Sequence, residues 1–183
     1  MIVKPTKLEG VWSFEPKQWG DERGVIKQML NEADFNLATH IDMPPVDWVQ
    51  ENVAVSNERV LRGIHGYRDL WRLCYCVYGE IYFVVVNCKK DDEHFGEWQA
   101  FRLVGVSETI LVPPELGIAC LTLSKVSIFS YKWSGYYEDH EQFHYRYDDP
   151  RFGIKWPLEG EPILSERDKK GVVTDYKREV LCG

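Results

Sequence analysis

Arg62-Gly63-Ile64-His65 stands just ahead of a strongly strand-forming stretch, and Leu164-Ser165-Glu166-Arg167-Asp168 lies near the far end of the chain. An imidazole can take a proton near neutral pH because its ordinary pKa is about 6.5. A carboxylate brought against the remote ring nitrogen would hold one tautomer and stabilise the charged ring. Such a pair suits removal of a proton from a weakly acidic C–H bond. Taken alone, each residue has a plainer reading: His65 as a hydrogen-bonded structural histidine, Asp168 as a turn residue.

Other reactive side chains narrow the chemistry. The cysteines are Cys74, Cys76, Cys88, Cys120 and Cys182, and the first three lie in or beside apolar sequence, so buried thiols are expected. Cys74 and Cys76 would share a strand face, but no second close pair completes a zinc site. His40 and His94 are isolated in loop-like sequence; His140 and His144, four apart among acids and aromatics, read as surface or interfacial positions. No His-x-His motif occurs, so neither metal nor cofactor is expected. A net charge of -7 disfavours a nucleic-acid-coating surface, although a local arginine cluster could still hold phosphates. The opening residues Met1 to Lys7 lack the apolar run of a signal peptide, and no apolar stretch is long enough to cross a membrane, which leads to an expectation of a soluble, cytoplasmic protein.

The elements that must position these groups are mostly short strands. Asp21-Glu22-Arg23-Gly24 reads as a turn between two of them, and Met29 to Leu37 as a brief helix. Val49, Val53 and Val55 favour a strand; Leu70 to Val86, broken once at Gly79-Glu80, predicts a hairpin with a buried face. Strand-like runs follow at Trp98 to Val104, Thr109 to Val112, Ile118 to Leu123 and Val126 to Tyr131. That spacing predicts a sandwich or small barrel in one domain over residues 1–183, with a polar, aromatic tail after Tyr137 wrapped around it.

Several ordered blocks carry a resemblance. Asp21-Glu22-Arg23-Gly24, Val49-Gln50-Glu51-Asn52, Leu61-Arg62-Gly63-Ile64-His65, Gly79-Glu80, Ile110-Leu111-Val112-Pro113, Tyr131-Lys132, Tyr136-Tyr137, Asp149-Pro150, Ile154-Lys155-Trp156-Pro157 and Leu164 to Asp168 together resemble the dTDP-4-dehydrorhamnose 3,5-epimerase family. The resemblance implies an all-β, cupin-like jelly-roll barrel with short peripheral helices, a homodimer, and a nucleotide-diphosphate 4-keto sugar as substrate. The Gly63-Ile64-His65-Gly66 and Cys76 to Glu80 blocks look closer to members acting on deoxyhexoses or heptoses other than the rhamnose precursor.

By the same resemblance His65 is the base, Asp168 its acidic partner and Tyr131 the acid on the opposite face. A 4-keto group acidifies the hydrogens on carbons 3 and 5, because loss of either gives an enolate. Arg72 occupies a place where the family usually has lysine, and its cation would face the enolate oxygen. Arg23 and Arg62 match arginines at the diphosphate. Gln50 and Asn52 match sugar or nucleotide contacts, and Tyr136 an aromatic site beside the nucleotide. Two positions depart from the pattern. Ile118 stands where histidine is common, and Phe83 where an acid is common, so an altered specificity is implied. Relocation of the keto group by a related isomerase, and a non-catalytic nucleotide-sugar-binding module, are the alternatives.

Overall fold

The computed structural model describes residues 2–31, 46–137 and 142–171. Within them the strands run β1 (Ile2–Pro5), β2 (Trp12–Glu15), β3 (Lys17–Asp21), β4 (Gly24–Gln28), β5 (Gln50–Asn57), β6 (Leu61–Tyr67) and β7 (Arg72–Tyr78). There follow β8 (Glu80–Asn87), β9 (Trp98–Val104), β10 (Thr109–Val112), β11 (Leu116–Thr122), β12 (Val126–Trp133), β13 (Gln142–His144) and a helix, α1 (Glu166–Lys170). Cys182, His40, His140 and most of the helix expected over Met29 to Leu37 fall outside the described residues.

Pairing is antiparallel throughout the sheets. One sheet has the order β1-β2-β10-β7-β12-β5, a second β13-β6-β11-β8-β9, and β3 with β4 forms a separate hairpin. The closed jelly-roll barrel implied by the resemblance is therefore not what forms. Closure needs each edge hydrogen-bonded to the next strand around a ring. Here β1 and β5 end one sheet, β13 and β9 end the other, and all three sheets stay open. With α1 added, the architecture is a mixed one, and α1 is the one helix among the described residues.

The hairpin expected over Leu70 to Val86 is also corrected. β7 pairs with β10 and β12, whereas β8 pairs with β11 and β9, so the turn between them carries the chain from one sheet to the other. Gly79 makes that corner possible: its φ is 77°, and a Cβ there would sit 2.2 Å from the Val126 carbonyl oxygen. The predicted turn at Asp21 to Gly24, by contrast, does close the β3–β4 hairpin.

Alternation explains how the two large sheets face each other. Inward residues Cys74, Cys76, Ile110, Val112 and Phe129 of one sheet meet Ile81, Phe83, Val85, Phe101, Leu103 and Cys120 of the other. The opposite face of the second sheet is covered in turn by the chain from β13 onward, where Phe143, Phe152 and Trp156 pack with Val84 and Val86. This explains why β8 is apolar at consecutive positions. Burial pushes the Cys74 and Cys88 thiols up to about 12, so they behave as small apolar side chains.

Candidate active site

Between the sheets, where β5, β12 and β7 face β6, β11 and β13, the apolar filling gives way to a pocket of about 280 Å³. His65 projects into it from β6, and its Nε2 lies 2.7 Å from Asp168 Oδ1. The two groups form a close polar pair at the pocket wall.

Local sequence builds this pair. Gly63 has a φ of 109°, and a Cβ there would lie 2.4 Å from the Ile118 carbonyl oxygen; only glycine lets β6 run this close to β11. Its N–H donates to Asp168 Oδ1 at 3.3 Å. On the other side Ser165 caps α1: its Oγ accepts from Asp168 N at 3.1 Å and donates to Asp168 Oδ2 at 2.6 Å. Burial works to raise the Asp168 carboxyl, but His65, Ser165 and Gly63 together outweigh it, and the net direction is down. The acid is thus held ionised beside the imidazole.

Tyr131 faces this pair from the other sheet. Burial raises its phenol, and a hydrogen bond from Asn52, its neighbour across the β12–β5 ladder, works the other way without outweighing it. The net effect keeps the hydroxyl protonated. Gln50 Nε2 donates to Asn52 Oδ1 at 3.2 Å, and Tyr137 N donates to Gln50 Oε1 at 3.1 Å. Gln50 and Asn52 therefore form a relay that orients the tyrosine. On the outer face of the same strands Glu51 accepts from Tyr75 Oη and Ser130 Oγ and pairs with Lys132, which holds its carboxyl down to about 2 despite burial. That cluster fixes the register of β5 and so the inward aim of Gln50 and Asn52.

Arg62, Arg72 and Ile118 also line the pocket. Arg62 Nε donates to Ser56 Oγ at 3.0 Å. Arg72 is 1% exposed; it donates to the main-chain carbonyls of His65 and Leu116. Ile118 stands directly across the ladder from His65. Four predicted residues do not line the pocket, Gln50 among them, which is bonded to Asn52 and Tyr137, residues that do. Arg23 is exposed at the tip of the β3–β4 hairpin and paired with Asp21; Tyr136 is exposed and off the pocket wall; Phe83 is fully buried against Phe101 and Phe129. Phe83 meets the pocket through its neighbours Phe129 and Cys120.

The pocket includes residues that sequence reasoning missed. Tyr67 and Trp133 follow His65 and Tyr131 by two positions on the same strand faces, a spacing that could have revealed them. Tyr137, rather than Tyr136, lines the wall, stacked on Trp133 at 5.4 Å and 21°. Arg167 donates to the Tyr137 hydroxyl and to Gln142 Oε1. His144 is buried, not a surface residue: it sits opposite His65 in the β13–β6 ladder, with ring centroids 6.2 Å apart. Burial, Arg167 and His65 push its pKa down. A second cavity, about 150 Å³ beside Lys7, Asn87 and His94, contains none of the predicted residues.

Two open sheets that set an acid-held histidine opposite a protonated tyrosine define a class: enzymes that move protons on and off a carbon acid. The dTDP-4-dehydrorhamnose 3,5-epimerase family model matches residues 5–175. A dTDP-4-dehydrorhamnose 3,5-epimerase of Salmonella typhimurium is 32% identical over 179 residues, covering 96% of each chain. A dTDP-4-dehydro-6-deoxyglucose 3-epimerase of Streptomyces bikiniensis is 33% identical, covering 91% of this chain and 86% of that protein. The structure of NovW, a 4-keto-6-deoxy sugar epimerase from the novobiocin biosynthetic gene cluster of Streptomyces spheroides, superposes with a TM-score of 0.85 at 30% identity, covering 93% of this chain and 86% of that one. The chain belongs to the dTDP-4-dehydrorhamnose 3,5-epimerase family and is a carbohydrate epimerase. Among the described residues no helix is long and apolar enough to cross a membrane.

Proposed function

We propose that this protein inverts carbon 3, carbon 5 or both in a nucleotide-diphosphate-linked 4-keto deoxyhexose. The observation that carries the reading is the placement of His65 and Tyr131 on opposite walls of one pocket. Inversion requires a proton to leave from one face of the sugar and return to the other. Because His65 Nε2 faces Asp168, Nδ1 is the atom that takes the proton. The C–H electron pair becomes the enolate double bond, and the carbonyl π electrons move onto oxygen. Asp168 stabilises the imidazolium, Arg72 supplies positive charge near the enolate, and Tyr131 protonates the carbon from the far side.

Arg62 serves the diphosphate end. Arg23 reaches it in a homodimer, in which the hairpin of one protomer lies against the pocket of its partner. What supports this is the hairpin itself: Trp19, Val25 and Ile26 are exposed on it, while Lys27 Nζ tethers it to the Val106 carbonyl at 3.0 Å. The protein works as a single domain in the cytoplasm, without metal or cofactor.

The test is incubation in heavy water with dTDP-, GDP- and CDP-linked 4-keto sugars, followed by NMR at carbons 3 and 5. Deuterium incorporation with inversion is the expected result and locates the centre. A relocated carbonyl would make the protein a ketoisomerase instead, and binding without any exchange would overturn the catalytic reading.

A further inference from the structure

We propose that Trp133 is a catalytic residue of this pocket, donating its indole N–H together with Arg72 Nε–H to the carbonyl oxygen that becomes the enolate oxygen. The inference rests on the 4-keto-sugar reading above and extends it to a residue for which the chemistry so far has no use.

Trp133 is 4% exposed and lines the pocket two positions beyond Tyr131. Its Nε1 is buried with no hydrogen-bond partner, and so is Nε of Arg72. Apart from His65 Nε2, which Asp168 accounts for, these are the unpartnered buried side-chain nitrogens on this wall among the described residues. Folded proteins rarely leave such donors unpaired, and those left in a pocket call for an explanation. The two are not scattered. Trp133 and Arg72 stand directly opposite each other in the β12–β7 ladder, where facing Cβ atoms are about 4.5–5.5 Å apart. Both groups only donate, so what they suit is an acceptor.

Position identifies the acceptor. Arg72 donates through Nη1 to the main-chain carbonyl of His65 at 3.0 Å, which ties its guanidinium to the residue that carries the imidazole. Nη2 is committed to the Leu116 carbonyl, so the guanidinium is fixed in place. The indole is equally constrained, with the rings of Tyr67 at 5.1 Å, Tyr131 at 5.5 Å and Tyr137 at 5.4 Å. Donors that need no rearrangement bind an oxygen more strongly as charge develops on it. A carbonyl oxygen next to the carbon attacked by His65 gains charge in this way; a sugar hydroxyl does not.

The experiment compares Trp133→Phe with the wild type. This change keeps an aromatic ring and removes the donor. We expect kcat and deuterium wash-in to fall roughly 100-fold, with KM changing by less than about threefold. Trp133→His, which restores a ring N–H, should recover part of the loss. In parallel, the assigned indole ¹⁵N–¹H signal of wild-type Trp133 should move on addition of dTDP-4-dehydro-6-deoxyglucose but not of dTDP alone. A folded Trp133→Phe variant with unchanged kcat and wash-in overturns the proposal; if that variant does not fold, an indole signal indifferent to the keto sugar overturns it. Failure of the wild type itself to exchange sugar protons would sink the epimerase reading, a result distinct from either.

Discussion

The space between the two large sheets has two halves built on one plan. In one half, inward positions of β7, β10, β8 and β9 carry Cys76, Ile110, Phe83 and Leu103, which interlock into a dry core. In the other, inward positions of β5, β12 and β6 carry Asn52, Tyr131, Arg62 and His65, which leave a pocket. Alternation places the side chains in both, except that on β6 a register shift against β11 brings Arg62 and His65, three positions apart, to the same pocket; what differs is whether they fill the gap or stand off across it. The packed half sets the separation of the sheets, and the open half uses it.

This contrast can be broken from either side. The largest expected effect is at His65. His65→Ala should cut turnover by about 100-fold to 10,000-fold while leaving the melting curve close to that of the wild type. Turnover that survives in a verified variant removes His65 as the base. Phe83→Ala should do the reverse: loss of a fully buried ring costs about 3–5 kcal/mol, read as a lower urea midpoint, with far less loss of activity per folded molecule than in His65→Ala. An unshifted midpoint would mean that the two halves do not divide stability from chemistry.

Smaller effects sharpen the division. Tyr131→Phe keeps the packing against Phe129 and Trp133 but removes the hydroxyl, so inverted product should fall further than deuterium wash-in; equal losses would deny it the protonating role. The smallest effect belongs to Glu51, outside both halves. Its folded pKa, about 2, lies below the ordinary carboxylate value, so its contribution to stability is full above about 4.3 and is lost as pH falls toward the folded value. Glu51→Gln should therefore differ from the wild type at pH 6 and converge with it only as pH falls below about 2, measured by chemical denaturation. Because the side chain is 38% exposed, solvent screening keeps the difference small.

The sequence disclosed strands well and their partners poorly. The apolar run at Val84 to Val86 and the turn at Gly79 were visible, but whether a glycine turn returns a strand to its own sheet or lifts it to the next depends on contacts with Val126 and Ser124, more than forty residues away. The barrel expectation failed for a related reason, since closure is a property of edges that no local pattern records. At the site, His65 and Asp168 were legible because their blocks are ordered motifs, and Ser165 was part of one. Trp133 and Tyr67 were not singled out, because an aromatic on a strand reads equally as core. Tyr136 and Tyr137 are adjacent, and only the structure chooses which of them meets the pocket.

His65 and Tyr131 belong to different sheets, and no hydrogen-bond ladder among the described residues joins those sheets. Their spacing is thus a calliper set by the rings of Phe83, Phe101 and Phe129. A calliper that drifts does not only slow its user; it spoils the measurement. Loosening that aromatic stack should appear in the stereochemical fidelity of the product, as protons handed back to the face they came from.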